Sequence, residues 1–125
     1  MQRIYPYGRE ASTLPLSPGV RAGDFIYVSG QVATNPDGTP FIGDIRDEIT
    51  GAIDAVEAVL TSAGASLANV VKVTAFLSNA TLFSAFNEIY ATRFDSGFPA
   101  RSTVVVGFGH PDVRVEVEAI GYVGP

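Results

Sequence analysis

The chain has 125 residues, enough for one domain and too few for two independent cores. With 46% hydrophobic and 17% charged residues it has the apolar content of a folding protein, and a net charge of -5 sets its field against phosphate backbones and anionic membranes. The absence of cysteine excludes disulfides, thiolate metal ligands and cysteine nucleophiles. The opening ten residues hold no continuous apolar run, and no later stretch reaches the ~18–20 apolar residues needed to span a bilayer, so a cytoplasmic location is expected.

Residues 14–23 are punctuated by Pro15, Pro18, Gly19 and Gly23 and read as irregular backbone. Phe25, Ile26, Tyr27 and Val28 then form a short aromatic and β-branched run, which predicts a buried strand that Val32 and Ala33 could extend. Residues 35–40, Asn-Pro-Asp-Gly-Thr-Pro, predict a chain reversal. Over residues 45–63, Ile49, Ile53, Val56, Leu60 and Ala63 recur at spacings of three and four, as on one face of a helix. Asp44, Asp47 and Glu48 place negative charge at the positive end of its dipole, and Gly64 suits its C-terminal cap.

Residues 70–77 alternate as a strand with both faces largely covered. Asn79 or Thr81 can cap a second helix whose stripe is Leu82 or Phe83, Phe86, Ile89 or Tyr90, and Phe94, with the aromatic side in the core. Two further strands, 101–106 and 113–123, are joined through Gly107-Phe108-Gly109-His110-Pro111-Asp112, a loop that permits an antiparallel hairpin. This order predicts an α+β fold with both helices on one face of a mixed sheet. A valine-lined second face would then lack a cover, which predicts a homo-oligomer.

Few residues carry a chemical signal. Arg101 follows Pro99-Ala100 at the start of a strand, and its planar guanidinium can grip a carboxylate through two parallel hydrogen bonds. Composition alone favours the plainer reading of a solvated arginine at a strand end. Glu116 and Glu118 alternate with valines and share one strand face, where they suit either acid–base work or a wet surface. His110 is the sole histidine and reads as loop surface. No cluster has metal-ligand spacing, no glycine pattern precedes a helix as a phosphate cradle, and Ser29-Gly30 is not a nucleophile elbow, so no metal or nucleotide cofactor is indicated.

Residues 21–31, RAGDFIYVSGQ, together with Pro99-Ala100-Arg101-Ser102-Thr103 and the closing Val115-Glu116-Val117-Glu118-Ala119-Ile120, closely resemble the YjgF/Rid family. Residues 69–77 and the Phe86-Asn87-Glu88-Ile89-Tyr90 segment extend the resemblance over nearly the whole chain. It implies a chorismate-mutase-like fold, a homotrimer with clefts between neighbouring subunits, and cofactor-independent hydrolysis of 2-imino or enamine acids to 2-keto acids and ammonia. By the same resemblance Arg101 binds the substrate carboxylate, Glu116 positions or activates water, the backbone around Ser29 and Thr103 lines the pocket, and Asn87 adds to it. The family's Gly-Pro-Tyr segment reads Leu14-Pro15-Leu16-Ser17-Pro18 here, so Leu16 stands where a tyrosine hydroxyl is expected. That shifts specificity toward apolar side chains or weakens turnover on standard substrates. Three alternatives remain beside the general deaminase: an enzyme specialised for a catabolic enamine such as an aminomuconate-like acid, a non-catalytic binder of small carboxylates, and an endoribonuclease, which the acidic charge disfavours.

Overall fold

The structure, a computed structural model, describes residues 1–6 and 14–125. The opening ten residues, expected to hold no apolar run, therefore fall partly outside the described residues. Ten elements follow in order, eight of them regular strands and α-helices: β1 (Gln2–Ile4), β2 (Gly19–Ala22), β3 (Phe25–Gln31), α1 (Ile45–Ser62), β4 (Val70–Leu77), α2 (Phe83–Arg93), β5 (Ala100–Val105) and β6 (Val115–Tyr122), with short 3-10 turns at Leu67–Asn69 and Ala80–Leu82. The six strands form one mixed sheet in the order β1-β2-β3-β6-β4-β5. No helix among the described residues is long and apolar enough to cross a membrane.

Two expectations are corrected at the N-terminal edge. Residues 19–22 are not irregular: β2 pairs antiparallel with β3, Ala22 opposite Phe25, and Gly23 at φ 61 turns the chain between them. Gly19, read as a breaker, is a packing requirement, because a Cβ there would run into Val59 of α1. The predicted reversal after β3 is present, with Thr34 bridging Pro40 and Gly38 at φ 88.

Helix α1 matches its pattern closely. Asp44 caps it by accepting the Arg46 amide at 2.8 Å, and Ile49, Ala52, Ile53, Val56, Val59 and Leu60 are buried along one face. Gly64 follows the last turn at φ 77, the left-handed conformation that ends helices. Asn79 caps the short turn before α2 by accepting from the Thr81 amide, and α2 buries Phe86, Ile89 and Tyr90.

The largest correction is topological. β5 and β6 do not pair as a hairpin, because β4 lies between them, parallel to β5 and antiparallel to β6. Helix α2 is the crossover that makes the parallel pair possible, since a tight turn joins only antiparallel neighbours. β6 then enters the middle of the sheet, between β3 and β4.

Both helices cover one face only. Val73, Ala75 and Leu77 of β4 and Val115, Val117 and Ala119 of β6 point into that core, while their neighbours Lys72, Thr74 and Phe76 are half-exposed. β4 is thus covered on one side rather than two, and an irregularity between Val70 and Lys72 turns Val71 outward, 45% exposed. The open face is not valine-lined as expected. It mixes Val20, Tyr27, Val104 and Ile120 with Ser29, Lys72, Thr74, Glu116 and Glu118, because the valines of β6 took the helix side.

One polar group sits inside the core boundary. Glu48, 2% exposed, accepts from the backbone amides of Arg114 and Val115 at 2.8 and 3.1 Å and from Arg114 Nε at 2.8 Å. Arg114 Nη2 goes on to donate to the Gly43 carbonyl at 2.6 Å, so one carboxylate locks the start of β6 to the start of α1. Glu48→Leu would leave the buried Val115 amide and the part-buried Arg114 amide without an acceptor and is expected to lower the unfolding free energy by about 3 kcal/mol. Glu48→Gln, which keeps an acceptor, is expected to lose about half of that. Urea denaturation at fixed protein concentration measures both, and a Leu variant as stable as the parent would contradict the lock.

Candidate active site

Arg101 stands opposite Val73 in the parallel β4–β5 register, and parallel neighbours point the same way, so its side chain rises on the helix face. There Nη2 donates to Asn87 Oδ1 of α2 at 2.5 Å. The guanidinium carbon lies 4.7 Å from the centre of the Tyr90 ring, 5.4 Å from Phe86 and 5.7 Å from Phe83. Three aromatic rings and an amide therefore hold the side chain in place without neutralising it. Among the described residues no carboxylate forms an ion pair with Arg101.

A half-buried arginine fixed in this way, with donors left over, has the chemistry to hold an anion. It lines a cleft of about 330 Å³ together with Asn87, Tyr90, Ala91, Phe98 and Pro99. Thr103, two residues along β5, points to the same face, and its hydroxyl is buried without a protein partner, as is that of Tyr90. Burial raises the Tyr90 hydroxyl's pKa, an effect the positive charge of Arg101 partly offsets. Tyr90 stacks on Phe94 with ring centres 4.4 Å apart, so the cradle is continuous with the core.

Glu116 lies elsewhere. It pairs with Phe76, and alternation sends its carboxylate to the open face together with Glu118. Burial, and then the nearby charge of Glu118, raise its pKa above the usual glutamate range. Its carboxylate lies against the backbone of Gly30, in space that any Cβ at that position would occupy. The bulge between Val28 and Gln31 brings Gly30 there. Ser29 also faces this side, lining a depression of about 300 Å³ with Tyr27, Lys72, Thr74 and Glu118. Its hydroxyl donates to the Ser17 carbonyl at 2.6 Å and its amide to the Pro18 carbonyl at 2.9 Å, which pins residues 17 and 18 to β3. Leu16 precedes this anchored pair and is 54% exposed.

The structure thus gathers Arg101, Asn87 and Thr103 on one face of the sheet, and Ser29 and Glu116, with Leu16 in the segment that Ser29 tethers, at the other. A single chain does not bring Arg101 and Glu116 together, because β4 and the thickness of the sheet separate them. His110 sits in the exposed loop as read, its Nδ1 accepting the Asp112 amide at 3.2 Å. Among the described residues no three His, Cys, Asp or Glu side chains converge to hold a metal ion.

Sequence reasoning missed the cradle. The stripe of Phe83, Phe86 and Tyr90 predicts core, yet Phe83 is 42% exposed, and the available signal is that this stripe passes beside the polar Asn87. Gly30 was likewise visible only as part of a strand ending.

Comparison with known proteins fits this architecture. The sequence model of the endoribonuclease L-PSP family matches residues 8–123. A RutC family protein of Pyrococcus abyssi is 39% identical over 109 residues, covering 86% of each chain. The 2-iminobutanoate/2-iminopropanoate deaminase of Dermatophagoides farinae is 40% identical over 107 residues, covering 85% of this chain and 84% of that protein. The crystal structure of Escherichia coli TdcF with bound serine superposes with a TM-score of 0.88 at 29% identity, covering 98% of each chain. The α+β architecture and these matches place the chain in the YjgF/Rid family, the family whose sequence model is described as endoribonuclease L-PSP.

Proposed function

We propose that the protein hydrolyses reactive 2-imino and enamine acids to 2-keto acids and ammonia without a cofactor, in sites completed between the subunits of a homotrimer. The observation that carries this reading is Arg101, a fixed cation without a carboxylate partner among the described residues, in the lining of a mostly apolar cleft. A relative named for deamination of 2-iminobutanoate and 2-iminopropanoate, and a related structure that holds serine, support a small amino-acid-like carboxylate as ligand. The net charge of -5 disfavours the ribonuclease reading that the family's description suggests.

The chemistry asks little of the protein. Arg101 grips the substrate carboxylate in a two-pronged hydrogen bond, which fixes the adjacent electrophilic carbon. Glu116 of a neighbouring subunit, made more basic by its burial, orients a water molecule toward that carbon and takes its proton. Water oxygen bonds to carbon, the nitrogen gains a proton, and collapse of the resulting carbinolamine breaks the C–N bond to release ammonia and the keto acid. An enamine first gains a proton at carbon to become the imine.

A second reading, a carboxylate binder without turnover, is favoured by Leu16, which removes a hydroxyl from the site that the family resemblance implies. Kinetics separate the two. Imines generated in the cuvette by an amino-acid oxidase and trapped with semicarbazide should be diverted to keto acid by the parent. Arg101→Ala should lower kcat/KM at least about a hundredfold, the value of a charge-assisted bidentate contact. A fully active Arg101→Ala protein would remove the anchor, and a parent that accelerates no imine would leave only the binder.

The pH profile addresses Glu116. Its water-orienting role needs the carboxylate, and its pKa is raised, so activity should rise with pH through a midpoint above that of an ordinary glutamate. Glu116→Gln should flatten that limb. A limb that persists unchanged in the glutamine variant would assign the titration to another group.

A further inference from the structure

The deaminase reading accounts for the substrate's carboxylate and reacting carbon but says nothing about its side chain. The walls of the cleft beyond Arg101 carry that information. Of the six lining residues, Asn87 and Arg101 are already joined to each other, and the remaining four are Tyr90, Ala91, Phe98 and Pro99. Tyr90's hydroxyl oxygen is buried, so what this residue presents is its ring.

Phe98 is 68% exposed, yet it is not loose: its ring lies over Tyr90 at 6.5 Å between centres and 22° between planes. It stands up from the core as one wall of the cleft. Ala91 of α2, which also lines the cleft, contributes only a methyl group. No acidic, amide or basic group other than the Asn87–Arg101 pair lines this space.

A charged or polar side chain would shed its water here with only the Asn87–Arg101 pair, the end that takes the carboxylate in the deaminase reading, to replace it. A methyl group would leave most of about 330 Å³ to water. A branched or aromatic side chain would displace that water against Phe98, Pro99 and the Tyr90 ring.

Resting on the deaminase reading, we propose that this cleft selects 2-imino acids with a branched or aromatic hydrocarbon side chain over those with a methyl or ethyl group, and that Phe98 is the residue that sets the preference. The imine carbon is planar and carries no memory of the parent amino acid's hand, so selection falls on side-chain shape and polarity alone.

Binding of the stable product acids tests the selection without depending on turnover. Calorimetric titration should show the 2-oxo acids of leucine and phenylalanine binding at least about tenfold more tightly than pyruvate, as burial of several more carbons in an apolar pocket implies. Phe98→Ser should narrow that gap to within about threefold, and Arg101→Ala should weaken all three. Pyruvate binding as tightly as the larger acids, no measurable binding of any of them, or a gap unchanged in Phe98→Ser would each overturn the proposal.

The same three side chains are then tried as imines in the semicarbazide assay. Tight binding of the large oxo acids with no imine turnover would uphold the selection and defeat the deaminase. Turnover that is equally fast for the imine of alanine and that of phenylalanine, with no gap in binding, would do the reverse.

Discussion

The alternation of side chains along a strand is the constraint on which the site depends. Helices α1 and α2 cover one face of the six-stranded sheet, so every strand divides its residues between a core and an open surface. Arg101 falls on the first and Glu116 on the second. A shift of one residue in β5 would expel the guanidinium from its aromatic cradle, and a shift in β6 would drive a carboxylate into the core in place of Val115 or Val117. Register is therefore a functional quantity here, and the Glu48 lock on the first amides of β6 is one of the devices that fixes it.

The cradle around Arg101 shows why a positive charge is tolerated next to the core. Placing a guanidinium there without a counter-ion costs solvation, which the faces of Phe83, Phe86 and Tyr90 and the Asn87 carbonyl partly restore. An internal carboxylate would restore more but would compete with any ligand. Aromatic faces stabilise the cation while leaving its fork for an incoming anion. The open face uses a different device, since Gly30 lets Glu116 rest against bare backbone, where partial burial keeps its carboxylate more basic than one in water.

Much of this was legible in the sequence. The period of Ile49, Ile53, Val56 and Leu60, with Asp44 before and Gly64 after, defined α1 almost to the residue, because a capped amphipathic helix is a local object. The alternation in Val115-Glu116-Val117-Glu118 gave the facing of both glutamates for the same reason. What escaped is non-local. Nothing near residues 107–112 says that β6 will pass beyond β5 to pair with β3 and β4, and the loop suits a hairpin equally well. β2 was hidden because Gly19 looks like a breaker until Val59 is seen packed against it. The anchoring role proposed for Arg101 rests chiefly on the family resemblance of its Pro-Ala-Arg-Ser segment, since an arginine at a strand start has the same local sequence whether solvated or cradled.

If Arg101 and Glu116 act on one substrate, they come from different copies of the chain, and that is the claim most open to direct test. Arg101→Ala and Glu116→Gln are each strongly impaired in the proposed mechanism, and the measurement is the deaminase activity of oligomers assembled from equal amounts of the two. In a ring of subunits mixed at random, about one interface in four unites an intact arginine with an intact glutamate, so activity should return to about a quarter of the parent's. No recovery from verified mixed oligomers would place both residues' work within one chain and contradict the shared site.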